Sequence, residues 1–71
     1  MTGEVRSEMV ANVWKVEVAL GDRLEEGDTI AILESMKMEI PVLAEVAGSV
    51  KQLEVREGDS VQEGDLIAVV G

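Results

Sequence analysis

Shifting the chain by 37 positions lays residues 13–34 on residues 50–71 without a gap. Val13, Glu17, Val18, Gly21, Asp22, Glu26, Gly27, Asp28, Ile30 and Ala31 meet identical residues at Val50, Glu54, Val55, Gly58, Asp59, Glu63, Gly64, Asp65, Ile67 and Ala68. Val16 with Leu53, Leu24 with Val61, Ile32 with Val69 and Leu33 with Val70 are conservative pairs. Two copies are too few for a solenoid, whose repeats bury their faces only on neighbours. A pseudo-twofold domain is expected instead, with halves at about 9–34 and 46–71 completing one core. The 71 residues then form a single domain, 1–71, near the small end of what folds alone.

Each half reads as strand, loop, strand. Val13, Val16 and Val18 are apolar in the first, and Val50, Leu53 and Val55 in the second, but the apolar phase slips by one residue within each trio. A β-bulge at the slip would keep both ends of the strand pointing inward. The loops share the pattern Gly-Asp-x-aliphatic-x-Glu-Gly-Asp, at Gly21 to Asp28 and Gly58 to Asp65. Glycine suits positive φ, and Asp suits turns that bond their own backbone. Leu24 and Val61 read as pegs tucking each loop onto the core. The short runs Ile30–Leu33 and Ile67–Val70 are of strand length and rich in β-branched residues.

Between the halves, Met36, Met38, Ile40, Val42, Ala44 and Val46 share one parity, while Glu39, Pro41 and Glu45 share the other, with Leu43 the exception. Such alternation is that of extended chain. Pro41 cannot donate to a ladder, which places its strand at a sheet edge or breaks it there. Gly48 is expected to mark a tight turn into the second half. The expected class is all-β, a small two-sheet sandwich or flattened barrel.

Composition excludes much chemistry. The chain has no histidine, cysteine or tyrosine, so it offers no imidazole, thiolate or disulfide. Ser35 and Lys37 on a tight turn provide no oxyanion hole. The four Gly-Asp pairs lack the spacing of an EF-hand loop and are read as turns. Six basic residues against fifteen acids give a net charge of −9, which opposes binding to nucleic acid or to anionic membrane surfaces and favours a soluble monomer. No apolar run approaches the roughly 18 residues of a spanning helix. The opening Met1-Thr2-Gly3-Glu4 lacks the basic and apolar regions of a signal peptide, so a cytoplasmic location is expected.

The segment Glu34-Ser35-Met36-Lys37-Met38-Glu39 remains, at the junction of the halves. If residues 30–34 and 38–42 are hairpin arms, Met36 and Lys37 occupy the tip. A two-residue hairpin loop prefers Asn-Gly because its backbone needs positive φ, and Met-Lys is a poor substitute. A local rule broken without structural benefit points to function. The competing readings are an ordinary exposed lysine on a longer loop and methionines that fill core. The chemistry suited to a lysine held out on a rigid support is amide formation at its ε-amine. A free lysine amine is protonated near neutral pH, so an external enzyme must deprotonate it and supply an activated acyl group.

This hexapeptide, the paired Gly-Asp loops and the half-repeat resemble the biotin/lipoyl attachment domain family over about Met9 to Gly71. The resemblance implies a flattened barrel of two four-stranded antiparallel sheets related by a pseudo-twofold, with the modified lysine at a hairpin tip and the termini at the far end. Met-Lys-Met is the biotin form of the family's motif, whereas lipoyl domains usually carry Asp-Lys-Ala. Lys37 is thus implied as the acceptor of covalent biotin, and Met36 and Met38, with Glu34, Ser35 and Glu39, as the motif read by biotin protein ligase. Ser35 replaces the family's usual Ala, and Met9-Val10-Ala11 replaces Met-Pro-Gly, so the first bend is expected to differ. The gapless repeat leaves no room for the thumb loop of one bacterial carrier subunit, and the chain resembles short free-standing bacterial attachment proteins most. No Pro/Ala-rich tether precedes the domain, which suggests a free-standing carrier or an excised domain.

The expected function is non-catalytic. Biotin on Lys37 would carry a carboxyl group from a biotin carboxylase to a carboxyltransferase acting on an acyl-CoA, with the cofactor supplying the chemistry. The alternatives are lipoylation of Lys37 for a 2-oxoacid dehydrogenase-type system, an orphan biotin acceptor, and an unmodified interaction module.

Overall fold

The alternating pattern becomes eight strands in the computed structural model, which describes residues 2–71. They are β1 (Gly3–Arg6), β2 (Ala11–Val16), β3 (Arg23–Leu24), β4 (Thr29–Ser35), β5 (Met38–Leu43), β6 (Gly48–Leu53), β7 (Ser60–Val61) and β8 (Leu66–Val70). They form two four-stranded sheets, ordered β1-β8-β6-β3 and β5-β4-β2-β7, with every pairing antiparallel. The all-β, two-sheet expectation is met. Each sheet draws two strands from each half of the sequence, so neither half can close a sheet without the other.

The 37-residue offset is kept to single-residue register. Leu33 faces Ile40 in one sheet as Val70 faces Gly3 in the other. Ala11 faces Val61 as Gly48 faces Leu24. The equivalence therefore reaches beyond the duplicated segment to β1 and β5. The strand at residues 3–6 is not predicted by the sequence pattern, because a lone buried Val5 between Glu4 and Arg6 is too short an alternation to mark one.

Both phase slips are bulges. Val13 faces Leu33 and Lys15 faces Ile32, leaving Trp14 without a partner of its own. Val50 faces Val70 and Gln52 faces Val69, which leaves Lys51 in the same position. Trp14 and Lys15 are exposed, while Val13 is buried and Val16 turns back toward the core. One added residue thus restores the inward phase at each end of the strand.

The core is aliphatic and paired by the twofold: Val13 with Val50, Ile30 with Ile67, Ala31 with Ala68, Leu33 with Val70 and Leu24 with Val61 are all buried. The pegs Leu24 and Val61 sit in β3 and β7, anchored by their Gly-Asp turns. Asp22, Asp28, Asp59 and Asp65 each accept a hydrogen bond at Oδ2 from the backbone N–H three residues earlier, at 2.8–2.9 Å. Turn chemistry accounts for the Gly-Asp pairs. Gly27 and Gly64, at φ 94° and 90°, each donate at 2.8 Å across the molecule, to the carbonyls of Ala44 and Ser7.

Gly48 differs from its expected role. The chain bends at Glu45 and Val46, and Gly48 is the first residue of β6. Its φ is 152°, and a Cβ there would lie 2.9 Å from backbone atoms of Gly71. Glycine is required by the close approach of the chain end, a contact between residues too far apart in sequence for local turn rules to reveal.

Candidate functional site

The hairpin of β4 and β5 carries the Met-Lys-Met segment. Ser35 faces Met38 as the last cross-strand pair, so Met36 and Lys37 alone form the turn. Their φ angles are 52° and 66°, and they are the two non-glycine residues at positive φ among those described. Both central positions at positive φ mark the primed turn whose twist suits a two-residue hairpin. The looser-loop reading is excluded: two long side chains occupy positions that favour Asn-Gly.

Register explains why the segment is exposed although its parity matches the core. Ile40 and Val42 point inward and are half-buried. Met38 shares their parity but lies past the last core pair, Leu33 with Ile40, and is 64% exposed; Met36 is 92% exposed. The methionines are not core filler. Lys37 is also exposed, and among the described residues the ion pair is Arg6 with Glu4, at 3.0 Å, in the other sheet. The Lys37 amine is left to solvent and to whatever enzyme reaches it.

Beneath the tip, Glu34 and Glu39 face each other directly across the two strands, and both are exposed. Like charges in directly opposed positions weaken a hairpin. The pair therefore adds a second feature that folding does not ask for, an acidic collar under the one amine. Ser35 is half-buried on the opposite face. The hexapeptide thus divides by geometry: an amine and a thioether at the turn, two carboxylates on one face, Ser35 and Met38 on the other.

Nothing else among the described residues competes. A groove of about 750 Å³ runs between edge strands β1 and β5, with Arg6, Met9, Ile40 and Val42 among its lining, and Lys37 lies outside it. No group of three or more potential metal-ligating side chains occurs among the described residues. The arrangement presents a primary amine at an exposed turn.

Comparison with known proteins agrees with this geometry. The biotinylated protein TB7.3 homolog of Mycolicibacterium smegmatis is 61% identical over 44 residues, covering 62% of each chain. A biotin/lipoyl attachment protein of Bacillus subtilis is 56% identical over 41 residues, covering 58% of this chain and 56% of its own. The match therefore spans less than two thirds of these relatives' length. Among solved structures, urea carboxylase from Kluyveromyces lactis superimposes with a TM-score of 0.92 and 38% identity over 100% of this chain, which is 6% of that protein. A single-chain, multi-domain long-chain acyl-CoA carboxylase gives 0.88 and 26% over 96% of this chain and 7% of its own. Residues 1–70 match the family described as "Biotin-requiring enzyme", and the chain belongs to that biotin/lipoyl attachment family.

Proposed function

We propose that Lys37 is the residue to which biotin is attached, and that the domain carries the cofactor between the active sites of a biotin-dependent carboxylase system. The observation that carries this reading is the strained Met36-Lys37 turn, which holds an unpaired amine at the tip of a rigid hairpin. The family and the biotinylated relatives make covalent biotin the cofactor, and the residues present fit it. Joining biotin's carboxyl group to a lysine requires a primary amine with open space around it, which Lys37 alone offers here in a built setting. Lys15 and Lys51 lie beside or at bulges in the body of a strand rather than at a turn.

Lys37 contributes the nucleophile. Its ammonium loses a proton to the ligase, the amine attacks the activated acyl carbon that the ligase supplies, and a C–N amide bond forms as the nitrogen gives up a second proton and the activating group leaves with the bonding pair. Met36 and Met38 offer two flexible thioethers on either side of the amine for the ligase to recognise, and Glu34 and Glu39 offer paired charge below it. Once bound, biotin supplies a ureido nitrogen that accepts and releases a carboxyl group. The partners in this reading are biotin protein ligase, then a biotin carboxylase and a carboxyltransferase that uses an acyl-CoA, in the cytoplasm.

The test is direct. The purified chain is incubated with biotin, ATP and a biotin protein ligase, and its intact mass is measured. A gain of one biotinyl group that disappears in Lys37→Ala is expected. No gain, or a gain that survives that substitution, overturns the reading, and a lipoyl adduct on the natively expressed protein would replace it.

A further inference from the structure

The pseudo-twofold provides an internal control for every surface position. Inward residues repeat across it because both halves build one core. Outward residues on the two sheets occupy equivalent backbone sites but need not match, so a difference there reports something other than folding.

On the sheet β1-β8-β6-β3, the outward positions at the edge and bulge hold Glu4, Arg6, Lys51 and Gln52. Glu4 and Arg6 pair with each other, and Arg6 also donates to the Gly64 carbonyl at 2.9 Å. Their equivalents on β5-β4-β2-β7 are Pro41, Leu43, Trp14 and Lys15. Three of four polar residues are replaced by apolar ones, on the sheet that carries Lys37. Trp14 remains 49% exposed and Leu43 44% exposed. Pro41, Ile32 and Lys15 are cross-strand neighbours in one row across three strands, with Trp14 beside Lys15 at the bulge and Leu43 two residues along β5 from Pro41. Glu34 and Glu39 lie on the same face, between that row and the turn.

We propose that this outer face, centred on Trp14, Pro41 and Leu43, docks the ligase that modifies Lys37. The inference rests on Lys37 being the acceptor. The occupant follows from reach. The enzyme that forms the amide must bring its active site to Nζ itself, so its body must lie against the strands leading to the tip. An enzyme acting on the biotin ring meets it a full lysine side chain and acyl tail away from the strands, so the ligase is the partner brought nearest to them. The matching ligase surface is apolar at its centre and basic where it meets the Glu34 and Glu39 collar.

The symmetry also supplies substitutions that the fold tolerates. Trp14→Lys with Leu43→Arg installs the residues already present at the equivalent sites, and the new arginine can reach the Gly27 carbonyl as Arg6 reaches that of Gly64. A second variant, Trp14→Gln with Leu43→Gln, removes the apolar surface without adding charge. Steady-state biotinylation kinetics should show KM raised about tenfold or more in both variants, with kcat retained, because a buried Trp is commonly an interface anchor. Lys51→Gln on the other face should leave KM unchanged. Double variants modified as well as the parent chain would overturn the docking surface while leaving the acceptor intact. A slowed reaction in the charged variant alone would assign the effect to long-range charge and overturn it too. A parent chain that sediments as a dimer, and is made monomeric by either variant, would give the face to a second copy. A parent chain that gains no biotin at all would instead remove the reading of Lys37 on which the inference stands.

Discussion

At Met36 and Lys37 the backbone is held at φ 52° and 66°. Each such residue with a Cβ costs about 1–2 kcal/mol relative to the right-handed region. Asn tolerates this conformation and Gly does so freely, although Gly also adds freedom to the unfolded chain. Met36→Asn with Lys37→Gly is therefore expected to stabilise the domain by about 1 kcal/mol, and to raise its melting temperature by about 4–8 °C for a chain of this size. The same protein should take up no biotin. Urea or thermal unfolding beside intact mass tests both halves of the statement. A variant no more stable than the parent would mean that the surrounding hairpin, rather than these side chains, determines the turn's energy. The stability given up at these two positions fits a site kept for function.

The strands show which parts of the structure local sequence can carry. The inward phase, the pegs Leu24 and Val61 and the bulges at Trp14 and Lys51 were legible because each is a displaced period of two or a repeated turn pattern. The tip was legible as well, since Met-Lys departs from hairpin preference within four residues. The role of Gly48, the strand status of residues 3–6 and the Glu34–Glu39 opposition were not, because each depends on which distant segment lies alongside. The Trp14, Pro41 and Leu43 face was hidden for the same reason: β2 and β5 share one face only through their pairing with β4. Gly48 permits a test at this level. Gly48→Ala meets both positive φ and a 2.9 Å approach to Gly71, whereas Gly64→Ala meets positive φ with nothing within 4 Å. Overpacking adds about 1–3 kcal/mol to the conformational cost, so Gly48→Ala should be the more destabilising by that margin in urea unfolding. Equal losses would show that the chain end swings aside without cost.

The whole molecule repeats its strand pairing at an offset of 37 residues. Two units of 37 residues would make 74, three more than the chain's 71. By the twofold, the three residues that would complete the second unit correspond to Ser35, Met36 and Lys37. The β4–β5 hairpin and the pairing of β8 with β1 have the same register, so the place equivalent to the tip lies just beyond the Gly3–Val70 pair. Joining Gly71 to Met1 through Ser-Asn-Gly, and opening the chain between Met36 and Lys37, should therefore give a permuted protein with the same two sheets. Its core, bulges and Gly-Asp turns are untouched, and Asn-Gly supplies the primed turn at no strain. Its unfolding free energy should lie within about 1–2 kcal/mol of the parent, since one hairpin connection is exchanged for an equivalent one. By contrast, residues 1–37 and 38–71 as separate peptides should each be unfolded, because each sheet takes strands from both. Circular dichroism and urea titration distinguish the cases. A permutant that fails to fold would show that the twofold governs the backbone's shape without making its two hairpin sites interchangeable, and that the native Met-Lys connection orders the molecule beyond its own two residues.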